Sequence, residues 1–536
     1  MTRTFADIAA GLAPAREARP IRPGERIHIV GIGGSASVGA ALAAHAAGAD
    51  VTGCDTGGAS PYTAEATAVG ISISWSHDPG HVVDAEARPQ VDRIAVTKAL
   101  TSVHPDHPEL LAARDAGIPA ESVQQVIADA AATHGQRLVG VTGTHGKSTT
   151  TGWVTHLLAA AGRDPSAFVG ALLPTALTGA LLPTTTRIGQ GREFVVEADE
   201  YAGNFDPYRA WLGAVVSAEW DHPDVFADRE DVVETLASWV RRFGPAPGDG
   251  EAPVLVANAG DPGVQALLEE LEDWDGRRVL VDLLEDPAAD LAAHRRRLVE
   301  RFGRRPGSTA LVGRIVELGV EGEAAEILGP GIGGSPAPAL IRTPLLGRHM
   351  LVDGLVALAT ALACGGDPAR LLPAFGTFHG VGRRMELKGD VGGVVVLDDY
   401  GHHPTAMRLT FAAVRQRYPG RRLWAVYEPL TYHRTAAMLD AFAEVLATAE
   451  RAAIVDIWAV RDPDTTIVSA ADLASAIEAR GTPAVATGSP ESSAEALASV
   501  VEPGDVVLVM GGGRSYVTAE ELVERLRERA ERPTGR

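Results

Sequence analysis

Residues 137–152 read RLVGVTGTHGKSTTTG, and the fold hangs on how that stretch is parsed. An apolar run ends at Gly143, a short loop follows, and the helix-forming segment STTTGWVTHLLAAAG starts at Ser148. Strand, glycine loop and helix in that order predict a phosphate-binding turn. Gly143 and Gly146 let the N–H groups of Thr144, His145 and Thr149 close round an anion. The helix N-terminus adds positive potential, Lys147 reaches the terminal phosphates, and the Ser148 hydroxyl is placed for Mg2+. The spacing is GxxGxxGKS rather than GxxxxGK[ST], because Val141 holds the first glycine position. A glycine turn without ligand is the competing reading. The chain has three lysines, Lys98, Lys147 and Lys388, so a lysine in this loop is not background usage.

Outward from the loop, short apolar runs alternate with Ala/Leu-rich amphipathic stretches, the pattern of parallel sheets covered by helices and hence of an α/β fold. At ~150 residues per domain, 536 residues give about three to four domains, and three series separate. The first, residues 1–135, holds RIHIVGIGG, ADVTGCD and VDRIAVTK. The second, 136–378, opens with the phosphate loop and includes EFVVEADE, WLGAVVSAEWDH and APVLVANAG. The third, 379–536, holds GGVVVLDDY, LWAVYEP, AAIVDIWA, DVVLVMGGG and a final helix, TAEELVERLRERAERP. Residues 245–345 read as irregular, with loops at GPAPGDGEAP and GPGIGGSPAPA and a solvated basic helix at AHRRRLVERFGRR.

A net charge of -21 argues against nucleic acid and anionic membranes as partners, since both are held by basic surfaces. Cys54 and Cys364, the two cysteines, make no disulfide framework and lie in no CxxC or Cys/His metal pattern. The N-terminal segment lacks an apolar signal core, and LVDGLVALATALACGG is broken by Asp353 and too short for a bilayer. The expectation is a cytoplasmic protein; oligomeric state is left open.

Carboxylates for a metal follow the loop. FVVEADEY places Glu197, Asp199 and Glu200 at a strand end, and VVSAEWDHPDVF places Glu219, Asp221 and His222 at another, where parallel sheets present ligand groups. The first series has its own glycine turn, GIGGSASVG, with Gly31, Gly33 and Gly34, and Asp55 about twenty residues on. This predicts a phosphate-bearing ligand, tight strand–helix packing being the alternative. In the third series, VLDDYGHHPTA groups Asp398, Asp399, His402 and His403, and YEPLTYHRT adds His433 and Arg434, a third candidate binding surface.

In order along the chain, GxGGxxxxG, GTHGKSTTTG, EADE, DHPD, GRH, GRRM and DDYGHHP resemble the Mur ligases of peptidoglycan synthesis, with the alanine-adding branch the nearest pattern. That resemblance implies an N-terminal Rossmann-like domain for a UDP-sugar, a central P-loop ATPase-type domain and a C-terminal Rossmann-like domain for the amino acid. It implies ATP and Mg2+ as cofactors, and amide formation between L-alanine and the carboxylate of UDP-N-acetylmuramate through an acyl phosphate. By the same resemblance Lys147 holds the β/γ-phosphates, Ser148, Glu197 and His222 hold metal, and His349, Arg384 and Asp399 contact the nucleotide. Gly31, Gly33, Gly34, Asp55, His402, His403 and Arg434 face the substrates. A peptide-attaching recycling ligase and a nucleotide-binding protein with a decayed site are the alternatives. The chain departs from the pattern at Ala36, Lys98, Met350, Asp353, Leu430 and Arg514. It has no lysine between Lys147 and Lys388, and so lacks the carbamylated lysine of several sister ligases.

Overall fold

The computed structural model describes residues 3–531 apart from 249, 304, 333–336, 460, 461 and 463. Its strands form three sheets that follow one another along the chain. The first joins β1 (Arg26–Val30), β2 (Asp50–Cys54), β3 (Ser72–Ser74), β4 (Arg93–Val96) and β5 (Ala120–Ser122), all parallel, in the order β3-β2-β1-β4-β5. The winding reverses between β1 and β4, the place where a doubly wound sheet opens a crevice for ligands.

The second sheet holds ten strands among the described residues. These are β6 (Arg137–Thr142), β7 (Ser166–Leu173), β8 (Thr184–Arg187), β9 (Glu193–Glu197), β10 (Leu212–Val215), β11 (Val254–Asn258), β12 (Arg277–Leu284), β13 (Thr309–Leu318), β14 (Glu323–Leu328) and β15 (Ala339–Thr343). Their order is β15-β14-β13-β12-β11-β10-β6-β9-β7-β8. The block from β13 to β7 is parallel, β8 pairs antiparallel with β7, β14 with β13 and β15 with β14, so the sheet is mixed. Every residue of β6, β10 and β11 is buried; strands covered on both faces carry the unbroken apolar runs that the sequence displays.

The third sheet orders β16 (Glu386–Val391), β17 (Val394–Asp399), β18 (Arg422–Glu428), β19 (Arg451–Val455), β20 (Ala484–Gly488) and β21 (Asp505–Gly511) as β16-β17-β21-β18-β19-β20. Only β16 is antiparallel to its neighbour.

The reading of 245–345 as irregular is corrected: this stretch supplies β11 to β15 and two helices, Pro262–Glu270 and Leu291–Phe302. Its Gly/Pro clusters fall in the turns, and short strands separated by such turns leave too little periodic pattern to read. The basic helix buries Leu291, Leu298 and Phe302 and exposes Arg296 and Arg297, so its charged side is a solvated face. Part of the 329–339 loop, Arg304 of the basic run and the last two residues of the predicted final helix lie outside the described residues.

Two packings set the cleft. Helix Lys147–Ala160 is pinned by Trp153, whose ring lies 4.7 Å from Phe375 and 5.0 Å from Phe378. Helix Ser35–Ala46, which follows the glycine turn of the first sheet, lies against β7 and β8 of the second. No helix among the described residues is long and apolar enough to cross a membrane.

Candidate active site

The phosphate loop leaves β6 at Thr142 and enters its helix at Lys147. Gly146 has φ +79, and a Cβ on it would lie 2.5 Å from Asp353 Oδ1 and 2.9 Å from Val216 Cγ1, so only glycine closes the loop there. The loop is tied to the chain that follows β10. His145 N donates to Ser217 Oγ at 2.9 Å, and Thr144 Oγ1 donates to the Glu219 carbonyl at 2.9 Å while accepting from its N–H at 2.8 Å. His145 Nε2 lies 3.2 Å from Glu219 Oε2. Burial raises the Glu219 carboxyl, but bonds from His145 and Thr405 hold it down at about 2.

Lys147 Nζ donates to Glu200 Oε2 at 2.9 Å and sits 3.6 Å from Asp199 Oδ1. Burial alone would lower this ammonium; the Glu200 and Asp199 carboxylates outweigh it and hold the group above its usual range. Burial raises Glu200. His222 faces the same pair, with Nε2 3.9 Å from Glu200 Oε1. Ligand atoms of Asp199, Glu200 and His222 all fall within 4.8 Å of one another. Glu197 lies apart from that trio: its Oε2 accepts the Gly170 N–H at 2.7 Å. The approach is allowed because a Cβ on Gly170 would meet the Glu197 carboxylate at 2.8–3.0 Å.

The third sheet reaches into this cluster. Arg384 Nη2 donates to Ser148 Oγ at 3.1 Å. Asp399 accepts from Met385 N at 2.9 Å and Gly401 N at 2.7 Å, and burial raises its carboxyl. Thr405 Oγ1 donates to Glu219 Oε2 at 2.9 Å, and the His403 ring stands 4.4 Å from that of His145. Arg434, 1% exposed, donates to Asp221 Oδ1 at 2.8 Å and to His222 Nδ1 at 3.1 Å. A guanidinium can only donate, so Nδ1 accepts and the neutral His222 ring carries its proton on Nε2, towards Glu200. Asp221, raised by burial, is held far below the carboxylate range chiefly by the Arg434 guanidinium.

A cavity of about 660 Å3 joins these elements. Its wall includes Ser35, Ala36 and Thr97 from the first sheet unit; Thr144 to Thr149, Glu197, Asp199, His222, His349 and Asp353 from the second; and Arg384, Asp399, His402 and His403 from the third. Asp353 is buried against the loop and its carboxyl is raised well above the usual range, while burial, with nearby Arg348, lowers His349 to about 4.

The predicted site residues are thus mostly brought together, with stated exceptions. Gly31, Gly33, Gly34 and Asp55 do not line the cavity. Asp55 instead holds its own turn, accepting from Gly33 N at 2.8 Å and Gly57 N at 2.7 Å, and presents the following Ser35 and Ala36 to the cleft. Gly143 and Arg434 lie outside the lining too, Arg434 acting on Asp221 and His222 from behind. His433 pairs with Asp462, Nδ1 to Oδ1 3.0 Å, away from the cleft. Lys98 donates to the carbonyls of Ala202 at 2.7 Å and Gly203 at 2.9 Å, which clasps the first unit to the turn after the acidic strand.

Sequence reasoning passed over Ser217 and Thr405, hydroxyls that lie within VVSAEWDHPDVF and VLDDYGHHPTA beside the charged residues that drew attention. It also passed over a group in the first unit: Cys54 lies among His28, His77, His81 and Glu109. Apart from His77 and His81, four apart in one stretch, these residues come from separate segments, so no linear spacing signals the group.

Residues 383–513 match the model of the Mur ligase, glutamate ligase domain, and residues 26–134 that of the Mur ligase family, catalytic domain. A UDP-N-acetylmuramate–L-alanine ligase of Frankia casuarinae is 35% identical over 465 residues, covering 84% of this chain and 86% of the relative. One of Mycolicibacterium gilvum is 33% identical over 508 residues, covering 94% and 97%. Among solved structures, a UDP-N-acetylmuramate-alanine ligase of Thermotoga maritima superposes with TM-score 0.71 at 20% identity over 94% of this chain and 99% of that one. A murein peptide ligase of Psychrobacter arcticus does so with TM-score 0.67 at 21% identity over the same shares, 94% and 99%.

Proposed function

The chain belongs to the Mur ligase family, and from that premise we infer that it joins L-alanine to the carboxylate of UDP-N-acetylmuramate at the expense of ATP, in the cytoplasmic assembly of peptidoglycan precursors. Relatives bearing that activity, similar over nearly their whole length, carry the inference. Its chemistry rests on the cleft where Lys147 faces Asp199, Glu200 and His222. The three sheets are read as domains spanning about 1–135, 136–378 and 379–536, and two unpaired, buried cysteines suit a reducing compartment.

A carboxylate is a poor electrophile until one oxygen becomes a good leaving group. In this reading the loop amides and Lys147 bind the β/γ-phosphates and offset the charge that gathers during transfer to the muramoyl carboxylate. Arg384, already on Ser148, adds a second cation from the third domain. His349 and Asp399 border the nucleotide, and the UDP-sugar approaches over Ser35 and Ala36. Asp399, Thr405 and His403 arrive only with the third domain, so its seating completes the site and shields the acyl phosphate from water until the amine attacks.

The residues fit a divalent ion such as Mg2+: two carboxylates and an imidazole converge within ligand distance, with Ser148 and Glu197 on the same cavity wall. Mg2+ there supplies charge neutralisation to the phosphates. For His222 to offer Nε2, its ring proton would have to move to Nδ1, and Arg434 would then be held by Asp221.

The test is phosphate release by the full chain with ATP, Mg2+ and UDP-N-acetylmuramate, with and without L-alanine, the product being weighed by mass spectrometry. Alanine-dependent release with the mass of the alanyl adduct is expected. Release stimulated only by a tripeptide would overturn the substrate assignment in favour of the recycling reaction. ATP binding without turnover on any acceptor would return the decayed-site alternative.

A further inference from the structure

Beneath the glycine turn of the first sheet lies a pocket of side chains that ligase chemistry leaves without a task. His28 stands in β1, Cys54 ends β2, His77 follows β3, His81 closes the short turn Pro79–His81, and Glu109 opens the helix Pro108–Asp115. Cys54 Sγ, wholly buried, lies 3.0 Å from Glu109 Oε2 and 3.2 Å from His77 Nδ1. His81 Nδ1 lies 2.8 Å from Glu109 Oε1. His28, its side chain 1% exposed, is fixed through Nδ1 by Thr52 Oγ1 at 2.8 Å. Its Nε2 has no hydrogen-bond partner among the described residues and points at Glu109 Oε2, 3.6 Å away. An orphaned buried nitrogen is costly unless something occupies the space before it.

Ligand atoms of His28, Cys54, His81 and Glu109 all lie within 4.8 Å of one another. A tetrahedral zinc ion, with sulfur at ~2.3 Å and nitrogen or oxygen at ~2.0–2.1 Å, separates its ligands by roughly 3.3–3.7 Å. To close on an ion the wider pairs must draw in, while Cys54 and Glu109, now 3.0 Å apart, must open by a few tenths of an ångström.

We propose that His28 Nε2, Cys54 Sγ, His81 Nδ1 and a Glu109 carboxylate oxygen form a binding site for a zinc-class divalent cation. A thiolate and two imidazoles select Zn2+ or Co2+ over the Mg2+ of the cleft. On binding, the Cys54 S–H bond breaks, its proton leaves to solvent and the electron pair forms the sulfur–metal bond. His77 Nδ1 stands 3.2 Å from the same sulfur, and its ligand atoms group with His107 and Glu109 rather than with His28. With four protein ligands the site is structural. The Cys54 carbonyl accepts from Gly31 N at 2.9 Å and Ile32 N at 3.0 Å. The residue that ligates the ion below thus holds the glycine turn above, and with it the approach to Ser35 and Ala36.

The full-length chain, stripped of metal, is titrated with Co2+ alone and watched for a thiolate-to-cobalt absorption band. One equivalent with that band, displaced by Zn2+, is expected, together with a higher melting temperature when zinc is bound. The band disappears in Cys54→Ser and persists in Cys364→Ser and His222→Ala. Thr52→Val keeps every ligand and should weaken the site about 10–100-fold by freeing the His28 ring, a readout that survives if the Cys54 variant fails to fold. A stripped chain that gives no such band, a band that survives in Cys54→Ser, or unchanged affinity in Thr52→Val overturns the proposal.

Discussion

Two clusters of histidine and carboxylate lie in this molecule, one in the cleft and one beneath the glycine turn of the first sheet, and they handle charge in opposite ways. In the cleft, Asp199, Glu200, Asp221 and His222 meet cations that the chain itself supplies, Lys147 from the second sheet unit and Arg434 from the third. In the first unit, Glu109 and Cys54 meet imidazoles, and His28 Nε2, 3.6 Å from Glu109 Oε2, has no hydrogen-bond partner among the described residues. The first arrangement depends on how the units are seated on one another. The second is contained within one of them and awaits a cation from outside.

Breaking the cleft cluster should therefore leave the other intact. The largest effect is expected from Arg434→Met, which strands a buried Asp221 carboxylate at a cost of about 3–5 kcal/mol. Denaturant unfolding followed by near-ultraviolet dichroism would register it, with cobalt uptake in the first unit unchanged. Lys147→Ala should lower turnover about 10²–10³-fold, the scale for removing a donor from developing charge. Full phosphate release in that variant would refute the role given to the loop.

Acid should distinguish the clusters as well. His403 is lowered to about 4 by burial and by the neighbouring His145, against Asp221 and Glu219, which pull it up. A depressed imidazole stabilises the folded form above its unfolded pKa, near 6.5, and that contribution is lost as pH falls from there towards 4. About 3 kcal/mol is at stake, and His403→Gln should flatten the stability profile of the apo chain between pH 6.5 and 4. A profile unchanged by the substitution would move the titration elsewhere. The smallest effect is expected for Lys98→Met. It removes two charge-assisted bonds to the 202–203 turn and should cost about 1–3 kcal/mol, raising hydrogen exchange at that turn.

The cleft was the more legible of the two for a physical reason. A loop that binds phosphate needs glycines, a lysine and a helix start in consecutive positions, so its chemistry is written locally. The strand ends bearing Glu197 to Glu200 and Glu219 to His222 were legible because buried parallel strands leave unbroken apolar runs before them. Which carboxylate would stand beside His222 was not legible: Glu200 takes that place and Glu197 turns to the Gly170 amide, a choice made by backbone direction after β9. Strands β3 and β5, three residues each, are too short for any period to show. The Cys54 group draws each member from a different segment, and only the closing of the first sheet brings them together.

The scarcity of lysine gives the molecule a built-in set of reporters. Lys98 belongs to the first unit and clasps the second, Lys147 sits in the cleft, and Lys388 lies on β16 of the third, paired with Glu386 and Glu520. Isotope introduced at lysine alone would yield three side-chain resonances, one per unit, each in a different electrostatic setting. Nucleotide arriving in the cleft, release of the clasp and movement of the third unit could then be followed separately in one spectrum, with no foreign group attached to the chain.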